Sequence, residues 1–596
     1  MTSRAVLATV ATALWVGALG ALSACLSVPG GEVPMCNTSA DCNESAGEIC
    51  DEGICWGDPP PNTVAAVISP PSARADLVSR ELAVLPIHQD GWIDELRLEK
   101  PALYTAQLAC QPPLACEGSM LGATITVTRP ASFPGGPGFR AVVTATGTDP
   151  FQLAVPASSD ATYTVTIVPA GRDTPTTTSP AQLLPPLRTT LVIAGNASGR
   201  VFELGGLGLP TISGILRNEL GQALPNYRLV ALGRWDSTAA PTEVSTVDYT
   251  GSDGRFQIQL SAGLVGSVEV VARPVGPPLR PTLHLAGISG EAGAASVTLS
   301  YPAGIGAARP VELQVEGVGG NGEIMPVRGA RVQIVGRVTT TTTMAPTAAA
   351  SSVSATFSAE GTTNDNGTAT LMVLDGAAFA QSYRLSIVPP PNATMGVLYD
   401  EALSLLGPIP KKRLPNRLAL RGVIYDSRGE PLKDVAVTAR PSLRFVWSLD
   451  AAPQSFLTAI PPSTATTPNT GEFVLWVDAH LADTWGHYDL AFEPTTGTDA
   501  PNFTVSGIEL PRLASQTAVD LPPVTLPDAA FVRGTILDHK GEPLKDAELK
   551  LFRIDELGAL CGLVRNPPAS CSVPATLVGR GVADDAGRVR LTLPRQ

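Results

Sequence analysis

Gly429-Glu-Pro-Leu-Lys-Asp434 and Gly541-Glu-Pro-Leu-Lys-Asp546 are identical hexapeptides 112 residues apart. Each lies between two apolar-alternating stretches, Leu418–Tyr425 and Val435–Ala439 in the first case, Phe531–Leu537 and Glu548–Phe552 in the second. Alternation of apolar and polar residues marks a strand with one buried face, and Gly, Pro and Asp between two such runs mark a turn. Looser copies of the turn occur at Gly221-Gln-Ala-Leu-Pro-Asn226 and Met325-Pro-Val-Arg-Gly329. A second signature follows each. Asp253-Gly254, Asn366-Gly367, Thr470-Gly471 and Ala586-Gly587 each precede apolar residues two, four and six places after the Gly. A third closes the unit: Tyr163-Thr-Val165-Thr-Ile167-Val-Pro169, Val268-Glu-Val270-Val-Ala272-Arg-Pro274, Tyr383-Arg-Leu385-Ser-Ile387-Val-Pro389 and Tyr488-Asp-Leu490-Ala-Phe492-Glu-Pro494. Proline ends such a strand because it has no N–H for the ladder. A unit of about 110 residues is therefore repeated, and its period of two predicts an all-β fold.

In this order of strands and turns the chain resembles the carboxypeptidase regulatory-like domain, a transthyretin-like β-sandwich, and is similar to the B-type repeats of collagen adhesins. The resemblance implies tandem transthyretin/Ig-like sandwiches. It is good over residues 415–596, fair over 208–305, weak over 306–410, and at 62–205 rests on the last strand pair alone. The expected division is 62–207 (a divergent sandwich), 208–305, 306–414, 415–527, and 528–596 as an incomplete repeat. In the last of these no closing strand follows the Gly587 strand before Gln596. An open edge invites strand addition from a partner, or it is shielded by the loop carrying Cys561 and Cys571.

Composition agrees. Of 596 residues 57 are Gly and 55 are Pro, which leaves little room for long helices, and none is visible past residue 25. Charged residues are only 16% and hydrophobic ones 44%, so the chain can bury cores. The net charge of −13 argues against a nucleic-acid partner, which needs clustered Lys and Arg.

Residues 1–24 read as a secretory signal: Arg4, then the apolar run Ala5–Ala21, then Leu22-Ser23-Ala24. Leu22-Ser23-Ala24-Cys25 resembles the lipobox of bacterial lipoproteins. That resemblance implies cleavage before Cys25, acylation of Cys25 and a membrane partner through the lipid. Leu26 in place of an Asp favours the outer membrane of the cell envelope. Residues 25–61 then form a cysteine-rich acidic stalk, with Cys36, Cys42, Cys50 and Cys55 and seven acidic residues. Cys110/Cys116 and Cys561/Cys571 make two further close sets. Eight Cys in an exported chain imply disulfides, with the stalk connectivity open among three possibilities. No C-x-x-C pair and no nearby His support zinc in the stalk.

No cofactor or metal is expected, and no enzyme. His539-Lys-Gly-Glu542 has metallopeptidase lettering but falls inside the turn motif with no His after it. Gly317-x-Gly319-x-x-Gly322 matches a dinucleotide fingerprint but has no helix after it. Residues 101–410 contain no Lys, so those repeats cannot form the Lys–Asn crosslinks of some adhesin repeats, and Lys433 and Lys545 lie in the turn. The candidate binding surface is aromatic. Trp476 falls at an outward position where sister repeats carry polar residues or Met372, with Trp447, Trp485 and Tyr488 near it in sequence. The competing expectation is that a neighbouring repeat or the 440–466 loop covers Trp476. The chain reads as a non-catalytic envelope lipoprotein, adhesive or scaffolding, with an envelope protein or glycan as its partner. The alternative is an accessory subunit of an export or polymer-handling complex.

Overall fold

The computed structural model describes residues 49–51 and 54–56 and, apart from several loop stretches, residues 64–594. The longest stretches left out within the latter are 112–121, 171–183, 339–353 and 554–574. The signal segment, Cys25, Cys36, Cys42, Cys116, Cys561 and Cys571 lie outside the described residues. Two compact units are resolved, 1–63 and 64–596. In the first, Ile49–Asp51 and Ile54–Trp56 pair antiparallel, with Cys50 and Cys55 as direct Cα partners. Among the described residues, strands account for 58% and helices for 3%.

The unit plan is clearest in the fifth module, residues 418–526. Leu418–Tyr425 pairs with Glu472–Val477 on one side and, in parallel, with Ala518–Asp520 on the other. A second sheet runs Ser463–Thr466, Val435–Pro441, His487–Pro494, Phe503–Glu509. The inner faces meet in a core that includes Leu420, Val437, Phe473, Leu475, Leu490 and Phe492. The loop between the second strand and Ser463 holds two short helices, Leu443–Ser448 and Ala451–Thr458.

Both turns demand their residues. Gly429 and Asp434 have φ of 85° and 57°, Gly541 and Asp546 have 86° and 59°, and Gly221 and Asn226 have 78° and 61°. Left-handed backbone is open to Gly and tolerated best by Asn and Asp, so the first and sixth positions are set by sterics. At the second turn Gly254, Gly367, Gly471 and Gly587 all have φ of 70–71°. A Cβ there would lie 2.4–2.6 Å from the carbonyl oxygens of Leu216, Val315, Ile424 and Ile536 respectively. Carboxylates brace these turns. Asp426 Oδ1 accepts from the N–H groups of Arg428 and Glu430, and Asp538 Oδ1 from those of Lys540 and Glu542.

The same three-plus-four plan recurs in a second module, 102–204, with its own core. The third (211–300) and fourth (308–405) modules are fused. Thr282–Ser289 pairs antiparallel with Ser354–Thr362, joining five strands of the third module and four of the fourth into one sheet of nine with a continuous core. The repeats expected as separate sandwiches at 208–305 and 306–414 thus share a sheet.

A larger correction concerns the two ends. Residues 62–207 are not one sandwich. Val64–Ser69 pairs antiparallel with Glu548–Arg553 on one edge and with Arg80–Leu85 on the other. Leu96–Arg97 pairs in parallel with Ile536–Leu537. These three N-terminal strands take the places held in the fifth module by His487–Pro494, Phe503–Glu509 and Val524–Thr525. The repeat left incomplete at 528–596 is finished by strands of residues 64–97, not by a partner, and the 561–571 loop lies outside the described residues. Ala66, Ile68, Leu77, Leu85, Ile93, Leu96 and Leu98 pack with Val532, Ile536, Leu549, Leu551 and Leu591 in one core. The reverse face of the first strand is covered too, with Ala65 and Val67 against Phe133 and Phe552.

Two outcomes follow. Ile68→Ala is expected to cost about 2–5 kcal/mol. Hydrogen exchange should show protection lost in 548–553 and 576–582 and kept in 122–168. Acid should also separate the modules. Burial works against ionisation of Asp426 and Asp538, but their backbone and arginine donors outweigh it and hold both below the usual carboxylate value. The backbone N–H of Arg588, with its guanidinium, does the same for Asp584. A depressed folded-state value contributes stability that is complete above the unfolded value, about 3.9, and lost as the pH falls through the folded one. Asn218 and Asn364 brace the corresponding turns of the third and fourth modules without titrating. Pulsed pepsin digestion below about pH 4 should therefore cut the fifth and terminal modules first.

Candidate functional site

The aromatic residues near Trp476 do not form one surface. Trp447 lies on the helix Leu443–Ser448 and is buried. Tyr488 is in the core beside Phe445, their ring centroids 6.0 Å apart. Trp485 is half-buried against His480, 5.5 Å between rings, in the small Leu481–Thr484 hairpin. Trp476 is half-buried on the outer sheet face beside exposed Val474 and Arg421, and its N–H donates to Ser463 Oγ at 3.0 Å. Trp447 and Tyr488 are thus core residues and leave the list of surface candidates.

Tyr488 has a structural task that its counterparts share. Its hydroxyl donates to the Asp478 carbonyl at 2.9 Å, that of Tyr383 to Leu374 at 2.9 Å, and that of Tyr163 to Pro156. Each ties the closing strand to the end of the strand before it, and burial pushes the Tyr488 phenol well above its ordinary value. Asp478 adds a junction between modules. Its carboxylate accepts from Val397 N–H at 2.8 Å and pairs with buried Arg417 at 3.1 Å.

One trio has the lettering of a catalytic relay. His284 Nδ1 is 2.9 Å from Glu269 Oε1, and Nε2 is 2.7 Å from Ser358 Oγ. These residues stand on three neighbouring strands of the nine-stranded sheet. Acyl transfer also needs N–H donors converging where an oxyanion would form. Ser358 lies mid-strand, paired with Val335 on one edge and Thr282 on the other, so the backbone there is committed to ladders. The trio is a polar clamp across the seam between the third and fourth modules. His539 and Glu542 sit in the braced turn, and no group of three metal-ligating side chains occurs among the described residues. Gly317, Gly319 and Gly322 belong to a hairpin joining Ala308–Val318 to Ile324–Pro326. Lys433 and Lys545 face Asp434 at 3.9 Å and Asp585 at 2.7 Å. Cys110 ends the strand Ala102–Cys110.

The sequence reading missed a different surface, the outer face of the terminal module's three-stranded sheet. Arg533 and Arg590 are direct Cα partners there, as are Phe531 and Thr592, and Thr535 and Arg588. Trp92, on the segment that leads into the third strand Leu96–Arg97, is the parallel bridge partner of Arg533. Trp92 is 45% and Phe531 38% exposed. The Arg590 guanidinium lies 4.2 Å from the Phe531 ring centroid. Arg588 pairs with Asp584 at 2.9 Å and Arg590 with Asp499 at 3.4 Å. Arg533 makes no ion pair or side-chain hydrogen bond among the described residues. Beside this face a cleft of about 360 Å³ is lined by Arg580 and Arg590 together with Glu493, Pro494, Asp499 and Ala500 of the fifth module. Only Arg588, Arg590 and Thr592 were visible as outward residues from the strand period. Trp92 is brought in from the other end of the chain.

No protein-family model matches the chain, and no curated protein matches it. Solved structures that match include the shaft pilin SpaA of Lactobacillus rhamnosus GG, at 13% identity over 37% of this chain and 98% of that one, TM-score 0.19. Two others are the Streptococcal ancillary pilin (10% identity, 52% and 98%, TM-score 0.17) and the Bacillus anthracis TIE protein (12%, 71% and 73%, TM-score 0.13). At such values the likeness carries no argument, and the all-β sandwich fold rests on the sheets themselves.

Tyr488→Phe removes one buried hydrogen bond and leaves the Asp478 carbonyl without that donor. It is expected to cost about 1–2 kcal/mol in urea unfolding, with Tyr383→Phe close to it and with no change in ligand binding, as suits core residues.

Proposed function

We propose that the chain is a non-catalytic lipoprotein of the cell envelope, acylated at Cys25, that presents tandem β-sandwiches as an adhesive or scaffolding body. The observation that supports this best is where the tether enters. Val64, three residues past Pro61, begins a strand held on both edges inside the C-terminal sandwich. A pull through residues 25–61 is therefore met by two backbone ladders rather than by a loose end. The lipobox-like Leu22-Ser23-Ala24-Cys25 supports the anchor, the absence of Asp at position 26 supports the outer membrane, and the Cys pairs support disulfides in an oxidising compartment. The cationic aromatic face favours a second reading, an accessory subunit that retains a glycan for an envelope complex.

In cells fed a labelled fatty acid the native chain should take up label and sediment with outer membranes. Cys25→Ser should abolish both. Unchanged membrane recovery of Cys25→Ser would remove the anchor from this reading. Protease shaving of intact cells separates surface display, which releases peptides from 415–596, from a face turned to the periplasm, which does not.

A further inference from the structure

The four equivalent sheet faces can be compared position by position, because the register is the same in each. The central cross-strand pair is Ser213 with Gln257 in the third module, Glu312 with Thr370 in the fourth and Arg421 with Val474 in the fifth. In the terminal module it is Arg533 with Arg590. Like charges directly opposite destabilise a sheet. The terminal module alone among these four carries that cost, and it does so with a third arginine, Arg588, and two exposed rings, Phe531 and Trp92, on the same face. The protein as a whole is acidic, at −13, so the concentration of cations here is local.

We infer that this face binds a carboxylate-bearing glycan, a polymer containing uronic-acid-type sugars. The row Arg590, Arg533, Trp92 runs across two strands and the bridging segment beside them at roughly 4.8 Å per step, a spacing close to the length of one pyranose ring. Trp92, 45% exposed, offers an aromatic surface for the apolar face of a sugar. Guanidinium groups give paired donors whose geometry matches a carboxylate. Arg533 supplies such a fork without giving up a partner. Arg588 and Arg590 are exposed, and exposed ion pairs are weak enough to exchange for a ligand. The adjoining cleft is the poorer anion site, since Glu493 and Asp499 line it. An anionic membrane is the less suitable partner, because Trp92 and Phe531 are each more than half covered and insertion needs freely exposed rings. The inference rests on the proposed binding role but not on the lipid anchor.

The test uses the full chain carrying Cys25→Ser and polygalacturonate as the probe, with dextran as a neutral polymer and phosphatidylglycerol vesicles as an anionic membrane. Binding to polygalacturonate that weakens with salt, with none to dextran, is expected. Arg533→Gln and Trp92→Ala should each weaken it by about tenfold, Arg533→Gln without lowering the melting temperature because it relieves the like-charge pair, and Arg255→Gln, at an exposed turn-proximal site of the third module, should leave it unchanged. No binding to polygalacturonate, or binding that neither Arg533→Gln nor Trp92→Ala alters, overturns the inference. So does binding to the vesicles alone. None of these results bears on acylation, which the fatty-acid label tests separately.

Discussion

The ladder between Val64–Ser69 and Glu548–Arg553 holds the two ends of the folded chain in one sandwich. Joining ends separated by several hundred residues costs entropy, but that cost grows only with the logarithm of the loop, to roughly 5–6 kcal/mol for an unstructured chain. Six large aliphatic side chains from the N-terminal segment (Ile68, Leu77, Leu85, Ile93, Leu96, Leu98) enter the shared core. At roughly 1.5–3 kcal/mol each their burial outweighs that cost. The sandwich can therefore be completed from a distance, and its completion places Glu548–Arg553 and Val64–Ser69 in the interior of a four-stranded sheet.

The modules differ in how they are joined, although each is built on the same turns. The third and fourth continue one sheet through Thr282–Ser289 and Ser354–Thr362, with His284 reaching from its own strand to Ser358 across the seam. The fourth and fifth meet at the buried Arg417–Asp478 pair. Removing one member of such a pair leaves an uncompensated charge, so this contact fixes geometry more than it adds stability. The second module meets the terminal one through Phe133 and Phe552, and through Ser132 donating to Glu81. These contacts tie each module to its neighbour, and the terminal sheet face that carries the arginines belongs to the module the tether enters.

The turns were readable in detail because they depend on local sterics. Positive φ at Gly429, Asp434 and Gly471 follows from residue type and spacing alone, and so do the inward positions of Phe473, Leu475 and Val477. The Val64-Ala-Ala-Val-Ile-Ser-Pro70 strand was harder to read. It has the closing pattern of apolar residues and a proline six places on, but no leading aromatic, and packing on both faces blurs its alternation. The aromatic set near Trp476 was misjudged for a related reason. Trp447 sits on a helix whose burial no strand period predicts, and Tyr488 begins the core register that Tyr383 also occupies.

By itself the sequence determined the all-β class, the repeated unit, its turn chemistry and which residues of each strand face inward, because these follow from backbone sterics and a period of two. Only the tertiary structure decided which strands meet. The closure of residues 528–594 by 64–98, the fusion of the third and fourth sheets, and the gathering of Trp92 with Arg533 and Arg590 all join segments far apart in the chain. Hydrogen-bond ladders accept any strand of suitable face and register, so pairing is settled by the cores the strands can share, and no local pattern records that choice.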